Sequence, residues 1–364
     1  MRYIILLFHL LLISIGNAQQ LAGHVYDKTN QKPIEGANVY LDGTTLGTMT
    51  NKEGYFTITA KNKMPNALVF SFIGYETITV EDPFSYDKNF KVLMKEDVIG
   101  LEEVVIGSPL FSRKKMLAAF KGQFLGTSRS AASCKILNEN DIVLHYDPDN
   151  HVLSASAKNP LRIVNNYLDY DIIFDLSDFG VKYNFNTLEP YNVLQSYFLG
   201  TTFFKDIAKG KKNAEKRRKQ TYMGSSAHLM KTIAEGTWEQ EKFELFVHQF
   251  KDDPKIYFSI SDTIGIKKIK VLEQPKKEIK RVNVLRAPNS PVIVSEGKDG
   301  TIWVKEYFNI RYNADKISIM DFVAPEIYVD KSGNFNPVTG VIFGGYIGSL
   351  KAGDLLPVDY QVEH

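Results

Sequence analysis

Two histidine constellations and one basic run are the places where this sequence could do chemistry. His228 follows Ser225 by three positions and Ser226 by two. A serine hydroxyl hydrogen-bonded to an imidazole is a nucleophile beside its general base, the chemistry of a hydrolase. Serines at the start of a helix more often turn their oxygens onto backbone N–H groups. A Gly-x-Ser-x-Gly elbow does not occur. His145 and His151 flank the turn Asp147-Pro-Asp-Asn150. Facing each other across a hairpin, they would make a metal site with Asp147 or Asp149, although turn chemistry alone accounts for those acids. Lys209, Lys211, Lys212, Lys216, Arg217, Arg218 and Lys219 lie close together with Glu215 as the only acid among them. Such a run suits an anionic surface, lipid phosphate or acidic glycan, or is simply a solvated helix.

Other chemistries find no support. His-Glu-x-x-His, phosphate loops and dinucleotide fingerprints are missing, so neither a metal nor a cofactor is expected, and an enzyme is the minority reading. The single cysteine, Cys134, excludes an intramolecular disulfide framework. Between Ser133 and Lys135 it reads as a small buried hydrophobe. Arg162, Asn165, Asn166, Tyr167 and Asp169 form a dense polar patch; mutual satisfaction in the interior explains it more simply than a pocket. A net charge of +2, falling to +1 once the leader with Arg2 is removed, argues against a nucleic-acid binder. Trp238 and Trp303 permit stacking on a sugar without requiring it.

These residues need elements to position them. Residues 1–18 carry one Arg, an apolar run from Tyr3 to Ile15 and Gly16-Asn17-Ala18, the pattern of a cleaved secretory leader. The run is too short for a membrane span, so no transmembrane segment is expected after cleavage. From Leu21 short β runs alternate with turns at Asp42-Gly43 and Asn51-Lys-Glu-Gly54, and Phe90–Met94 closes the set. That pattern predicts an antiparallel β-sandwich over 19–97. Met116, Leu117, Phe120, Phe124 and Leu125 follow helical spacing and Gly126 ends the run. Strands are then predicted over 134–137, 142–146, 151–155, 161–164 and 170–174, a mainly helical stretch over 203–236, and strands again from Phe243 to Tyr346. A helical middle among antiparallel strands predicts an α+β domain over 111–364.

Several blocks resemble a known family: Gly23-His-Val-Tyr-Asp27, Pro33-Ile-Glu-Gly-Ala-Asn-Val-Tyr-Leu41, Gly47-Thr-Met-Thr-Asn51, Gly54-Tyr-Phe56 and Phe72-Ile-Gly-Tyr75. In this order they resemble the carboxypeptidase-regulatory-like domain of Bacteroidota envelope proteins. The resemblance implies a transthyretin-like (prealbumin-like) sandwich with no chemistry of its own. Gly100-Leu-Glu-Glu-Val-Val-Ile-Gly-Ser108 is similar to the segment that acts as a TonB box in starch-utilisation-type receptors. The residues after Ser108 are too few for a plug and an outer-membrane barrel, so 98–110 is read as a linker or edge strand. Glu103, Val104, Val105 and Ile106 would supply a strand to a partner. Phe120-Lys-Gly-Gln-Phe-Leu-Gly126, Pro160-Leu-Arg-Ile-Val-Asn165 and Tyr222-Met-Gly-Ser225 resemble a companion domain of unassigned activity in the same group of proteins.

The sequence therefore predicts an exported, envelope-associated, non-enzymatic binding or scaffold protein, periplasmic in preference to the cell surface. Another envelope protein is the first choice of partner, and polysaccharide or peptidoglycan the next. A hydrolase centred on Ser225 and His228, or on His145 and His151, is the rival reading.

Overall fold

Alternation of inward and outward residues opens the fold: Leu21, Gly23, Val25 and Asp27 of strand β1 (Gln19–Asp27) are buried while their neighbours are partly exposed. The computed structural model describes residues 19–60, 66–86, 89–97, 109–263, 265–280, 293–296 and 301–362. The expected leader, 1–18, lies outside them. Strands β2 (Asn38–Leu41), β3 (Gly47–Met49), β4 (Tyr55–Ala60), β5 (Leu68–Ser71), β6 (Ile78–Val80) and β7 (Phe90–Met94) follow. They form two sheets, β4-β1-β7 and β3-β2-β5-β6. All pairs are antiparallel except β1 with β7, which run parallel. Val25, Val39, Leu41, Phe56, Leu68, Phe70 and Met94 fill the space between the sheets. Each buried phenylalanine contributes about 1.5–3 kcal/mol over an exposed one. Gly54 turns with φ +70°, and a Cβ there would lie 2.5 Å from the Val25 carbonyl oxygen, so only glycine fits.

Helix α1 (Arg113–Phe124) is followed by the short α2 (Arg129–Ala132) and by β8 (Cys134–Ile136), β9 (Ile142–Asp147), β10 (Val152–Ala157), β11 (Leu161–Asn165), β12 (Tyr170–Tyr183) and β13 (Val193–Asp206). These strands make a sheet in the order β8-β11-β12-β10-β9, with β13 along β12. Phe120 of α1 packs on Phe179 of β12, ring centroids 4.7 Å apart. The helical stretch expected from residue 203 begins later. Thr201-Thr-Phe-Phe204 favours the pleated sheet, and Phe203 pairs with Ile173 and Phe204 with Ile172.

The sandwich docks on β13 within the same unit. Gly43 N–H donates to Thr202 O at 2.7 Å, Phe204 N–H to Thr44 O at 3.0 Å, and Thr202 N–H to Asp42 Oδ1 at 2.7 Å. Tyr40 stacks on Phe203 at 5.3 Å. The chain accordingly divides into residues up to Gln123 with Cys134–Lys209, and Phe124–Ser133 with Gly210–His364. Those seams differ from the sequence-based division at 97 and 110. A turn of the first module completes hydrogen bonds on a strand far along the chain, which no local pattern announces.

The second unit begins with helices α3 (Lys212–Tyr222) and α4 (Ser226–Glu235). Strands β14 (Phe243–Val247) and β15 (Phe250–Lys251), the single turn α5 (Pro254–Tyr257), and β16 (Phe258–Thr263), β17 (Ile266–Val271), β18 (Lys276–Lys280), β19 (Ile293–Glu296) and β20 (Thr301–Lys305) come next. Strands β21 (Phe308–Tyr312), β22 (Lys316–Phe322), β23 (Glu326–Val329), β24 (Phe335–Asn336) and β25 (Val341–Gly344) precede the short α6 (Gly345–Ser349). Three sheets result: β15-β14-β21-β22-β25, β16-β17-β23-β24 and β18-β20-β19. Leu229, Met230 and Ile233 of α4 join Phe243, Ile269, Phe308, Met320 and Ile327 in one core. Residues 124–133 belong here because Gly353 N–H donates to Leu125 O and Ser130 Oγ to Gly353 O.

Candidate binding surface

Strand β22 reads Lys-Ile-Ser-Ile-Met-Asp-Phe, apolar on both faces of its pleat. Ser318, Met320 and Phe322 point into the core, which leaves Ile317, Ile319 and Asp321 on the outer face. Ile317 is 63% exposed and Ile319 39%. Neighbouring β25 adds Ile342, 54% exposed, in register with Asp321, and places Gly344 opposite Ile319. A Cβ on Gly344 would meet Ile319 Cγ1 at 2.5 Å, so the isoleucine side chain lies over the glycine. Val323, next after β22, is also exposed. Covering one half-exposed isoleucine yields on the order of 1 kcal/mol.

A polar pair borders this aliphatic surface. Arg311 on β21, opposite Ile317, donates from Nε to Glu244 Oε2 at 2.7 Å and lies 4.7 Å over the Phe246 ring. The bond from Arg311 holds the Glu244 carboxyl below its ordinary range. An apolar patch with a hydrogen-bonded polar pair at its edge fits the anatomy of a protein–protein contact.

The sequence-predicted residues fare differently. Ser225 Oγ accepts the backbone N–H of His228 at 3.2 Å, capping α4 as serines do. The His228 ring turns away from it. Its Nδ1 accepts Gly224 N–H at 2.9 Å, so Nε2 carries the proton and faces Glu241 Oε2 at 2.9 Å. Tyr222, Phe243 and Tyr312 surround the imidazole with centroids 5.0–5.7 Å away. Burial pushes its pKa down, against the opposing pull of Glu241. Ser225 and His228 thus form a helix cap and a packed, neutral core histidine, not a nucleophile and base.

His145 is exposed on β9 opposite Ser154. His151 sits in the turn with φ +57° and its Nδ1 lies 3.0 Å from Asn186 Oδ1. Asp147 spends its carboxylate on Asp149 N, Asn150 N and Asn150 Nδ2, which lowers its pKa. No group of three potential metal ligands exists among the described residues. Of the basic run, Lys211, Lys212, Lys216 and Lys219 are exposed and Arg217 is half-buried. Arg218 does not belong to that surface: it is 2% exposed and donates to Glu215 Oε1 at 2.8 Å. Helical periodicity turns it inward beside Ala214. Glu103, Val104, Val105 and Ile106 lie outside the described residues. Ile317, Ile319 and Ile342 were missed, although a strand apolar on both faces signals burial on both sides or a surface awaiting cover.

Comparison with known proteins addresses the first module. The family model described as the CarboxypepD_reg-like domain matches residues 21–106. That segment is a CarboxypepD_reg-like domain. The expectation of a regulatory-like sandwich at this position therefore holds. A stretch of 91 residues is 42% identical to the TonB-dependent receptor SusC of Bacteroides thetaiotaomicron. It covers 24% of this chain and spans 8% of the receptor's length. Among solved structures, a 9R-lipoxygenase from Cyanothece PCC8801 aligns over 61% of this chain and 49% of its own, with 8% identity and a TM-score of 0.18. That similarity carries no argument about fold or function. No helix among the described residues is long and apolar enough to cross a membrane.

Proposed function

We propose that this protein is an exported, envelope-associated binding or scaffold protein that docks another envelope protein and does no catalysis of its own. The observation that carries the docking is the aliphatic surface of Ile317, Ile319 and Ile342 beside the Arg311–Glu244 pair. The envelope setting is supported by the CarboxypepD_reg-like domain and its likeness to a TonB-dependent receptor. The non-catalytic reading is supported by the structural use of Ser225 and His228. Placing an acid in the middle of the surface should abolish docking without unfolding the sheet, because the positions face solvent. The test is affinity capture from detergent-solubilised native envelopes with the wild-type chain and with I317D/I342D. One protein captured stoichiometrically by the wild type and lost by the variant, at an unchanged unfolding midpoint, supports the reading. Equal capture by both moves docking elsewhere and refutes it.

A further inference from the structure

A second feature of the second unit is independent of the aliphatic surface. The C-terminal end of α4, the Trp238 turn, the start of α5 and the start of β16 enclose a cleft of about 430 Å³. Gly236, with φ +70°, stops α4, and Trp238 two residues on lines the cleft with its ring parallel to Phe258 within 10°. Ile233, Trp238 and Phe258 give the cleft an apolar wall. Its rim carries three carboxylates, Glu235, Glu239 and Asp253, against one ammonium, Lys255. Asp253 spends one oxygen on the Lys255 backbone N–H, at 3.0 Å. Glu235 and Glu239 are exposed and make no side-chain hydrogen bond or ion pair among the described residues. The carbonyl end of α4 adds partial negative charge at the same place.

We propose that this cleft receives a lysine or arginine side chain from an extended basic segment of a partner. Such a side chain has an aliphatic stem and a cationic head, and the cleft offers an apolar wall below a negative rim. An indole face beside the stem adds attraction for the head. A neutral ligand would leave the unbalanced carboxylates without a counter-charge, and an anion would meet repulsion from three of the four charged groups.

The test uses the full chain with fluorescein-labelled pentalysine at low ionic strength, followed by anisotropy. Saturable binding is expected, weakened about fivefold in E235Q/E239Q by loss of two exposed charge pairs and reduced by added salt. E35Q/E53Q, which removes the same charge from exposed positions of the sandwich, should bind as the wild type does. Neither Nε-acetylated pentalysine nor a neutral trisaccharide should compete. Equal weakening in both double variants would mean attraction by net charge alone, and effective competition by the trisaccharide would make the cleft a glycan site. Either result, or an absence of saturable binding, overturns the proposal. The outcome does not depend on the Ile317 surface, so the two readings fail separately.

Discussion

Replacing His228 by alanine tests whether this residue is structural. The substitution leaves the Gly224 N–H without its acceptor in a buried site, at a cost of about 1–3 kcal/mol. The void among Tyr222, Phe243 and Tyr312 adds about 1–2 kcal/mol. Glu241 has a side chain 37% exposed, and water replaces its lost partner at little cost. The second unit should therefore lose about 2–5 kcal/mol. Because the chain has two units, a single unfolding curve mixes them. Hydrogen exchange at α4 and β14 amides under increasing urea reads the second unit by itself. Ser225→Ala, which removes only the cap, should cost about 1 kcal/mol. The same argument fixes a pH dependence. Burial lowers the folded pKa of His228 below its ordinary 6.5, so the neutral ring contributes its stability above pH 6.5. That stability is lost as pH falls through the folded value, because the unfolded chain binds the proton first. H228A should flatten this component. A loss below about 1 kcal/mol, or an acid limb unchanged in the variant, would refute the packing argument and return His228 to the list of functional candidates.

Three further outcomes are expected. Asp42→Ala removes the acceptor of Thr202 N–H and should destabilise the first unit by about 1–2 kcal/mol in exchange-detected urea unfolding. Burial raises the Asp42 pKa, so its ionised form is penalised in the fold and the penalty is relieved as pH falls. D42N, uncharged and still an acceptor, should match or exceed the wild type at neutral pH. Arg218→Ala, at a buried position, should cost about 2–3 kcal/mol through lost packing and pairing, while Lys216→Ala on the exposed side should stay within about 0.5 kcal/mol. I317S/I342S should leave the calorimetric midpoint of the second unit unchanged and lower the protein's retention on a hydrophobic-interaction column, since both side chains already face water.

Much of the architecture was legible locally. A short β run bounded by turn residues marked β1, alternation marked β4, helical spacing with a closing glycine marked α1, and Ser225 was readable as a cap because its oxygen serves the backbone three residues on. The hairpin of β9 and β10 followed from the Asp147–Asn150 turn. The candidate surface was harder to see. A strand with isoleucines on one face and Met320 and Phe322 on the other does not say which face the core takes. The helical reading at residues 203–206 failed because pairing with β12 overrode a short, ambiguous run.

By itself the sequence determined the CarboxypepD_reg-like sandwich, the mainly antiparallel strands behind it and the positions of most turns, because alternation, helical period and turn residues act between close neighbours in the chain. Tertiary structure decided which of those elements share a unit, which face of β22 meets solvent, and what His228 and Arg218 do. Those outcomes depend on partners distant in sequence: Thr202 for Asp42, Gly344 for Ile319, and Phe243 and Tyr312 around His228. Burial and hydrogen-bond satisfaction are properties of the packed whole, and no single segment carries them.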